Sequence, residues 1–423
     1  MRILLLGGGG REHAIGWKLA KSPLVSELMS LPGNPGLAKL GPVVSDVQVD
    51  DVGAIALLAE QQRIDLVVVG PETPLALGVV DVLDRRQIPV FGPDRYAARL
   101  ESSKAFAKDV MQRSGIRTAA HVVYDKAEPA FDHIARSHGP YVVKADGLAG
   151  GKGVLVTADA GAARAWVIQC LDPQAFGDNA RVVIEDYLEG PEISVFAICD
   201  GSTAIPLAPA RDYKRLLDGD AGPNTGGMGS YSPVADLPEN LVEYTMSQVV
   251  APVMKAMAED GHPYVGFLYV GYVLTDDGPS VLEFNCRLGD PEAQVVLPRL
   301  ESDLADVLVA AAGGDLGRRT LTWSDEAAVN VVLAARGYPT DPRRDDRIRG
   351  LANVEDATVF HAATSDATAK LLTAGGRVLH IVGRGANIAK ARAAAYAAVE
   401  RIRFAGMQYR TDIALENEMT TPG

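Results

Sequence analysis

Short apolar runs alternate with polar, helically patterned stretches over the first hundred residues. RILLL (2–6) reads as a buried strand and REHAIGWKLAKS (11–22) as a helix. DLVVVG (65–70) is a second strand, ending in GPE, and IPVFG (88–92) a third. Strands that alternate with helices predict a parallel sheet with crossovers, whose chemistry gathers at the carboxyl ends of the strands. The pattern changes near residues 101–120. There ESSKAFAKDVMQRSG reads as one helix, with Ser102 or Ser103 as its cap and Gly115 as its stop. PYVVKADGLAGGKGVLVT (140–157) reads as strand, glycine-rich loop, strand, and ADAGAARAWVIQCL (158–171) as a helix. RVVIEDYL (181–188) is a strand with a short exit.

Further along, EISVFAIC (192–199), YVGFLYVGYVL (264–274) and SVLEFNCRL (280–288) read as strands, and 301–312 as helix. Between them RDYKRLLDGDAGPNTGGMGSYSP (211–233) is expected to be irregular. It is too long and glycine-rich for an idle connector, which points to a functional loop. From about residue 328 a compact α/β or α+β unit follows, with IAKARAAAYAAVERIRF (388–404) as its helix.

Composition narrows the function classes. The chain has 423 residues, 47% hydrophobic and 22% charged, which is globular rather than disordered. Its length implies two to four units. A net charge of −13 argues against a non-specific nucleic-acid binder. No window holds 18 uncharged apolar residues, so no membrane span is expected. Three scattered cysteines give neither a disulfide framework nor a zinc motif, and suggest a reducing cytoplasm. The seven histidines have no metal-like or triad-like spacing, and no GxSxG elbow is present.

Six segments carry the candidate chemistry. GLAGGKG (Gly147–Gly153) lies between two strands and can place backbone N–H groups on phosphates, with Lys144 and Lys152 adding charge. It is not a Walker loop, because Gly153 follows Lys152. The plain alternative is a glycine hairpin with solvated lysines. In VLEFNCRLGDPEAQ (281–294), strand alternation puts Glu283 and Asn285 on one face and Phe284 on the other. A carboxylate and an amide oxygen together suit Mg²⁺. Arg287 continues that face toward a transferring phosphoryl group, and Asp290 and Glu292 follow at the exit. A solvated polar face is the alternative. GGGGREHA (7–14) sits between strand and helix, a natural anion site. It matches a dinucleotide fingerprint only in part, since Glu12 holds the third glycine position. PGNPG (32–36) and GPETPL (70–75) would line the same crevice, with Glu72 its carboxylate. In RDYKR, Lys214 and Arg215 can meet phosphates and Asp212 an amine, or the loop is simply exposed and charged.

Taken in order, GGGGREHA, PGNPG, GPETPLALGVVD, LESSK, KADGLAGGKGV, GPNTGGMGSYSP, EFNCRLGDPE and YRTDI resemble the phosphoribosylamine–glycine ligase (glycinamide ribonucleotide synthetase) family of the ATP-grasp superfamily. The resemblance spans essentially the whole chain. It implies an α/β and α+β multidomain fold. A Rossmann-like parallel sheet forms residues 1–102, and an ATP-grasp unit follows at 103–327 with a mobile lid at about 119–188. A small C-terminal domain occupies 328–423. It implies ligation of glycine to 5-phosphoribosylamine with ATP and Mg²⁺ or Mn²⁺, through glycyl phosphate, in purine synthesis. The expected setting is a cytoplasmic monomer that binds no nucleic acid or membrane, with transient contacts to pathway enzymes left open.

Carried onto this sequence, the resemblance gives Lys104, Lys144, Gly151, Lys152 and Gly153 the ATP phosphates. Glu185, Asp186, Tyr187 and Leu188 would read the adenine, and Glu192 the ribose. Glu283 and Asn285 would bind metal. Arg287, Asp212 and Lys214 would face the reacting groups, and Gly9, Arg11, Glu12, Asn34, Glu72 and Asp290 the phosphoribosylamine. Departures are Gly150 where alanine is common, RDYKR for QDHKR, GPE for GEE at 190–192, and Leu288 for an aromatic. Another acid and amine pair, an NAD-dependent oxidoreductase, or a silent binding protein are the competing readings.

Overall fold

The computed structural model describes residues 1–148, 153–176, 180–366 and 370–415. The first unit is a four-stranded parallel sheet in the order Glu27–Pro32, Arg2–Gly7, Leu66–Val69, Val90–Phe91. Its two inner strands are apolar almost throughout because helices cover both faces. Ile3 and Leu5 pack to one side and Leu4 and Leu6 to the other, into separate core clusters. The Gly10–Leu19 helix leaves the first strand at its carboxyl end, where the alternating pattern placed the active edge.

Two antiparallel four-stranded sheets follow. One runs Ala204–Pro206, Glu192–Asp200, Val265–Thr275, Gly278–Asn285. The other runs His121–Tyr124, Val182–Asp186, Tyr141–Ala145, Val154–Thr157. This second sheet is covered by helices Ala127–Arg136 and Ala160–Cys170 and has its own small core of Val143, Ile184, Ile134 and Val167. Asp146 ties its base to the rest: it accepts hydrogen bonds from Ser103 Oγ (2.9 Å), Ala105 N–H (3.1 Å) and Arg181 Nε (2.8 Å).

Three expectations change. The 101–115 helix is two pieces, Arg99–Ser102 and Lys104–Arg113, broken at extended Ser103, whose Oγ caps the second through Phe106 N–H. The segment 211–233 is not irregular. Arg215–Leu217 pairs with Ala221–Asn224, while Arg211–Asp212 and Gly229–Ser232 join a five-stranded sheet with Ala327–Ala334, Arg377–Gly385 and Thr358–His361. Short, glycine-broken strands carry too little alternation to be seen in sequence. The last helix spans Ile388–Val399 and stops short of Phe404. Among the described residues no helix is long and apolar enough to cross a membrane.

Candidate functional site

A cavity of about 400 Å³ opens where the parallel sheet, the two antiparallel sheets and the C-terminal sheet meet. At one end three lysines converge. Lys104 begins the Lys104–Arg113 helix, and Lys108 lies one turn on, on the same face. Lys144 comes from the Tyr141–Ala145 strand, with Glu185 on the neighbouring strand. Both Lys144 (2.9 Å) and Lys108 (3.0 Å) pair with Glu185 Oε2. Lys108 also donates to Thr118 Oγ1 (2.7 Å), and Lys104 to Gly147 O (3.1 Å). Burial pushes the Lys108 ammonium down to about 8, with the Glu185 carboxylate opposing. It lowers Lys104 too, against Glu283. Burial raises Glu185, but Lys144 and Lys108 outweigh it and hold its pKa below the ordinary value. Glu185 pairs with two of the three lysines, which leaves this end short of negative charge that a polyphosphate can supply.

Glu283 and Asn285 project from the Gly278–Asn285 strand into the middle of the cavity, while Phe284 is buried on the other face. The Asn285 amide nitrogen is best placed toward Glu101 Oε1 (3.1 Å) and Phe284 O (3.2 Å), which leaves its oxygen free of both contacts. The Glu283 carboxylate makes no hydrogen bond or ion pair among the described residues. Two unengaged oxygen donors side by side fit a hard divalent ion that takes its other ligands from water and phosphate. Consistent with so sparse a set, no group of three or more His, Cys, Asp or Glu that could hold a metal occurs among the described residues.

Arg287 is clamped between Glu101 (2.7 Å) and Glu72 (3.2 Å). Burial opposes its charge, but these carboxylates outweigh it and raise its pKa. Burial raises Glu101, against Arg287.

The far end begins at the first strand. Gly7 has φ +113°, and a Cβ there would lie 2.4 Å from Glu12 Cγ, so the turn requires glycine. Glu12 accepts from Gly9 N–H (2.7 Å) and Arg11 Nε (2.6 Å). Asp290 accepts from Arg11 N–H (3.3 Å) and Gln294 Nε2 (2.9 Å) and faces Arg377 (3.4 Å) and His380 (3.6 Å). Burial would raise its pKa, but Arg377 and its neighbours hold it well below the carboxylate range. Asp212 and Lys214 form the adjoining wall, 3.8 Å apart, and Lys214 also pairs with Glu192.

The structure therefore gathers Gly9, Arg11, Glu12, Glu72, Lys104, Lys144, Gly153, Glu185, Asp212, Lys214, Glu283, Asn285, Arg287 and Asp290 around one cavity. Others do not line it. Asn34, expected to face substrate, is a brace: its Nδ2 donates to Gly8 O and His361 O (2.9 Å each), and its Oδ1 accepts from Gly36 and Leu37 N–H. Asp186, the last residue of its strand, and Tyr187 after it are exposed, and Leu188 is half-buried. Glu192 meets the cavity wall only through Lys214. Arg211 turns away to Tyr231 Oη (3.0 Å) and Asp236 (2.9 Å). Gly151 and Lys152 lie outside the described residues. Sequence reasoning did not assign Glu101, Lys108, Glu292 or Arg377, all of which line the cavity. Lys108 was legible four residues after Lys104. Glu101 and Arg377 carry no local signal, since each reaches the site from a different unit.

Three family models for phosphoribosylglycinamide synthetase match in succession: the N domain over 1–101, the ATP-grasp (A) domain over 102–293 and the C domain over 328–416. A phosphoribosylamine–glycine ligase of Rhizobium meliloti (strain 1021) is 46% identical over 414 residues, 98% of each chain. One of Phenylobacterium zucineum (strain HLK1) is 48% identical, again over 98% of each. The crystal structure of a phosphoribosylamine–glycine ligase from Thermotoga maritima superposes with a TM-score of 0.86 at 36% identity, over 98% of this chain and all of that one. The biotin carboxylase domain of the Hydrogenobacter thermophilus 2-oxoglutarate carboxylase, solved with MgADP, shares the fold at TM-score 0.74 and 16% identity, over 96% of this chain and 91% of that one.

Proposed function

The chain belongs to the phosphoribosylglycinamide synthetase family, and from that premise we infer how its cavity carries out the reaction. The protein is an ATP-dependent ligase of purine biosynthesis that joins glycine to 5-phosphoribosylamine. ATP is used with a divalent ion, which we assign as Mg²⁺ or Mn²⁺ held by Glu283 and Asn285. Bound there, the ion would neutralise phosphate charge.

A carboxylate is a poor acyl donor. In our reading a glycine carboxylate oxygen attacks the γ-phosphorus and the bond to ADP breaks. The amine of phosphoribosylamine then attacks the carbonyl of glycyl phosphate. A C–N bond forms, the C–O bond to phosphorus breaks, the amine loses a proton, and phosphate leaves. Lys104 and Lys144 hold the triphosphate, with Gly151, Lys152 and Gly153 assigned to the same task from the glycine-rich loop. Glu185 to Leu188 take the adenine edge and Glu192 the ribose. Arg287 stabilises the transferring phosphoryl group, so positioning and charge neutralisation outweigh any single base. Arg11, Glu12, Glu72 and Asp290 orient the phosphoribosylamine. Closing the 119–188 lid would exclude water from the acyl phosphate. We also propose the division at 102/103 and 327/328, action as a monomer, and a cytoplasmic setting.

The observation that carries this reading is the unengaged Glu283 carboxylate sharing one cavity with Lys104, Lys108 and Lys144. Its test is ADP release with glycine and phosphoribosylamine omitted in turn. Full turnover requires both; undiminished release without glycine would overturn it.

A further inference from the structure

We infer that Arg410 and Tyr213 are positioning residues for Lys214, so that the YRTDI motif (409–413) at the end of the C-terminal unit holds the cavity wall from behind; the inference rests on the ligase reading above. No residue of the motif is among those that line the cavity, yet Arg410 is charged and only 2% exposed.

Alternation aims the wall. Asp212 and Lys214 line the cavity, and Tyr213 between them turns to the opposite side. The backbone there is paired: Tyr213 N–H donates to Gly229 O (2.9 Å), and Tyr213 O accepts from Met228 N–H (2.7 Å). Behind the wall the Arg410 guanidinium lies 4.8 Å from the centre of the Tyr213 ring and donates to Arg215 O (3.2 Å). Arg410 thus holds the residue on each side of Lys214. Tyr213 Oη in turn accepts from Ala414 N–H (2.8 Å).

The motif is itself firmly held. Arg410 meets Asp412 through two nitrogens (2.7 Å each) and Asp220 through one (3.3 Å). Asp218 accepts from Thr411 N–H (2.7 Å), and Asp412 from Gly219 N–H (2.8 Å). On its other side Tyr396 Oη, from the Ile388–Val399 helix, donates to Arg410 O (2.8 Å) and accepts from Ile413 N–H (3.2 Å). Burial opposes the Arg410 charge, but Asp412 and Asp220 outweigh it and raise its pKa. Taking a guanidinium out of water is unfavourable, and an apolar side chain would fill the space without that penalty. Only the planar fork fixes several acceptors and a ring face at once.

Lys214 needs such support. It is a cation of the wall, 3.8 Å from Asp212 and paired with Glu192. Its four-carbon stem is flexible, so its backbone has to be fixed for the ammonium to be. A shift of about 1 Å beside the reacting atoms costs up to about a hundredfold in rate.

The test is a double-substitution cycle in the full-length enzyme, read by kcat for ADP release at saturating substrates. R410K keeps a charge and loses the fork; it should lower kcat about tenfold while the KM for ATP stays within about threefold, because the triphosphate is held by Lys104 and Lys144. Y213F removes the acceptor of the Ala414 N–H and should lower kcat about threefold. In a K214Q background both losses should shrink to less than about twofold, since the group they position is gone. Losses of the same size with and without K214Q overturn the inference. So does R410K with a lowered Tm and unchanged kcat, the mark of a purely structural role, and so does K214Q at full kcat. Should R410K not fold, Y213F carries the same cycle. If the unsubstituted enzyme consumes no glycine, the ligase reading fails instead.

Discussion

Replacing Glu101 by glutamine isolates one link between units. Glu101 Oε2 accepts from Cys286 N–H (2.8 Å), and Oε1 meets Arg287 Nη2 (2.7 Å) and the Asn285 amide nitrogen (3.1 Å). One buried carboxylate thereby sets both a proposed metal ligand and the arginine beside the transferring phosphoryl group. Glutamine keeps the shape and one acceptor but removes the charge. A hydrogen bond to a charged group contributes about 1.5–3 kcal/mol. Arg287 retains Glu72 at 3.2 Å, so it is not stranded. Burial raises the Glu101 pKa, so neutralising it also relieves a desolvation cost. Stability should therefore change by only about 1 kcal/mol, a few degrees in Tm at most for a chain of this length. The loss falls on geometry: kcat should drop roughly 10- to 100-fold, equivalent to about 1.5–3 kcal/mol, and more Mg²⁺ should be needed for half-saturation. ADP release coupled to NADH oxidation, run across a Mg²⁺ titration, reads both. A folded E101Q with kcat and half-saturating Mg²⁺ within about twofold of the unsubstituted enzyme would refute the reasoning.

Glu283→Gln should cut turnover by about tenfold or more with the melting curve unchanged, because it removes a charged oxygen ligand and no protein contact; steady-state ADP release checks it. Lys108→Met should raise the KM for ATP several-fold by unbalancing Glu185, read by the same assay at limiting ATP. His13 (about 3), His361 and His380 (about 4 each) lie at the junction of the first helix with the C-terminal sheet, and burial lowers all three. An unfolded histidine titrates near 6.5, so their contribution is complete above that pH and is lost as pH falls toward 4, by about 3 kcal/mol each. Tm should decline over that window, and H361N should decline less. Gly227→Ala should destabilise by about 2 kcal/mol or more. At φ +107° its Cβ would lie 2.4 Å from Pro291 Cδ, and thermal melting measures the effect.

Local chemistry was readable along the chain, and long-range partnership was not. The parallel sheet followed from apolar runs, and the shared face of Glu283 and Asn285 from strand alternation. Asn34 was expected at the substrate, and its side chain bonds to the backbone of its own turn, a role that a short polar side chain in a glycine turn does not distinguish in sequence from meeting a ligand. Glu101 and Arg377 escaped because their roles arise from packing between units that are distant in sequence. The segment 211–233 was expected to be functional from its length and glycine content, and its Asp212 and Lys214 line the cavity. Its Gly229–Ser232 strand also pairs with Ala327–Ala334, about a hundred residues away, where no local pattern reports the partner.

The central claim is that this cavity activates a carboxylate by moving a phosphoryl group onto it. Glycine labelled with ¹⁸O in its carboxylate tests that directly. The account predicts one ¹⁸O in the inorganic phosphate released per ligation. Phosphate free of label, alongside normal product formation, would contradict it.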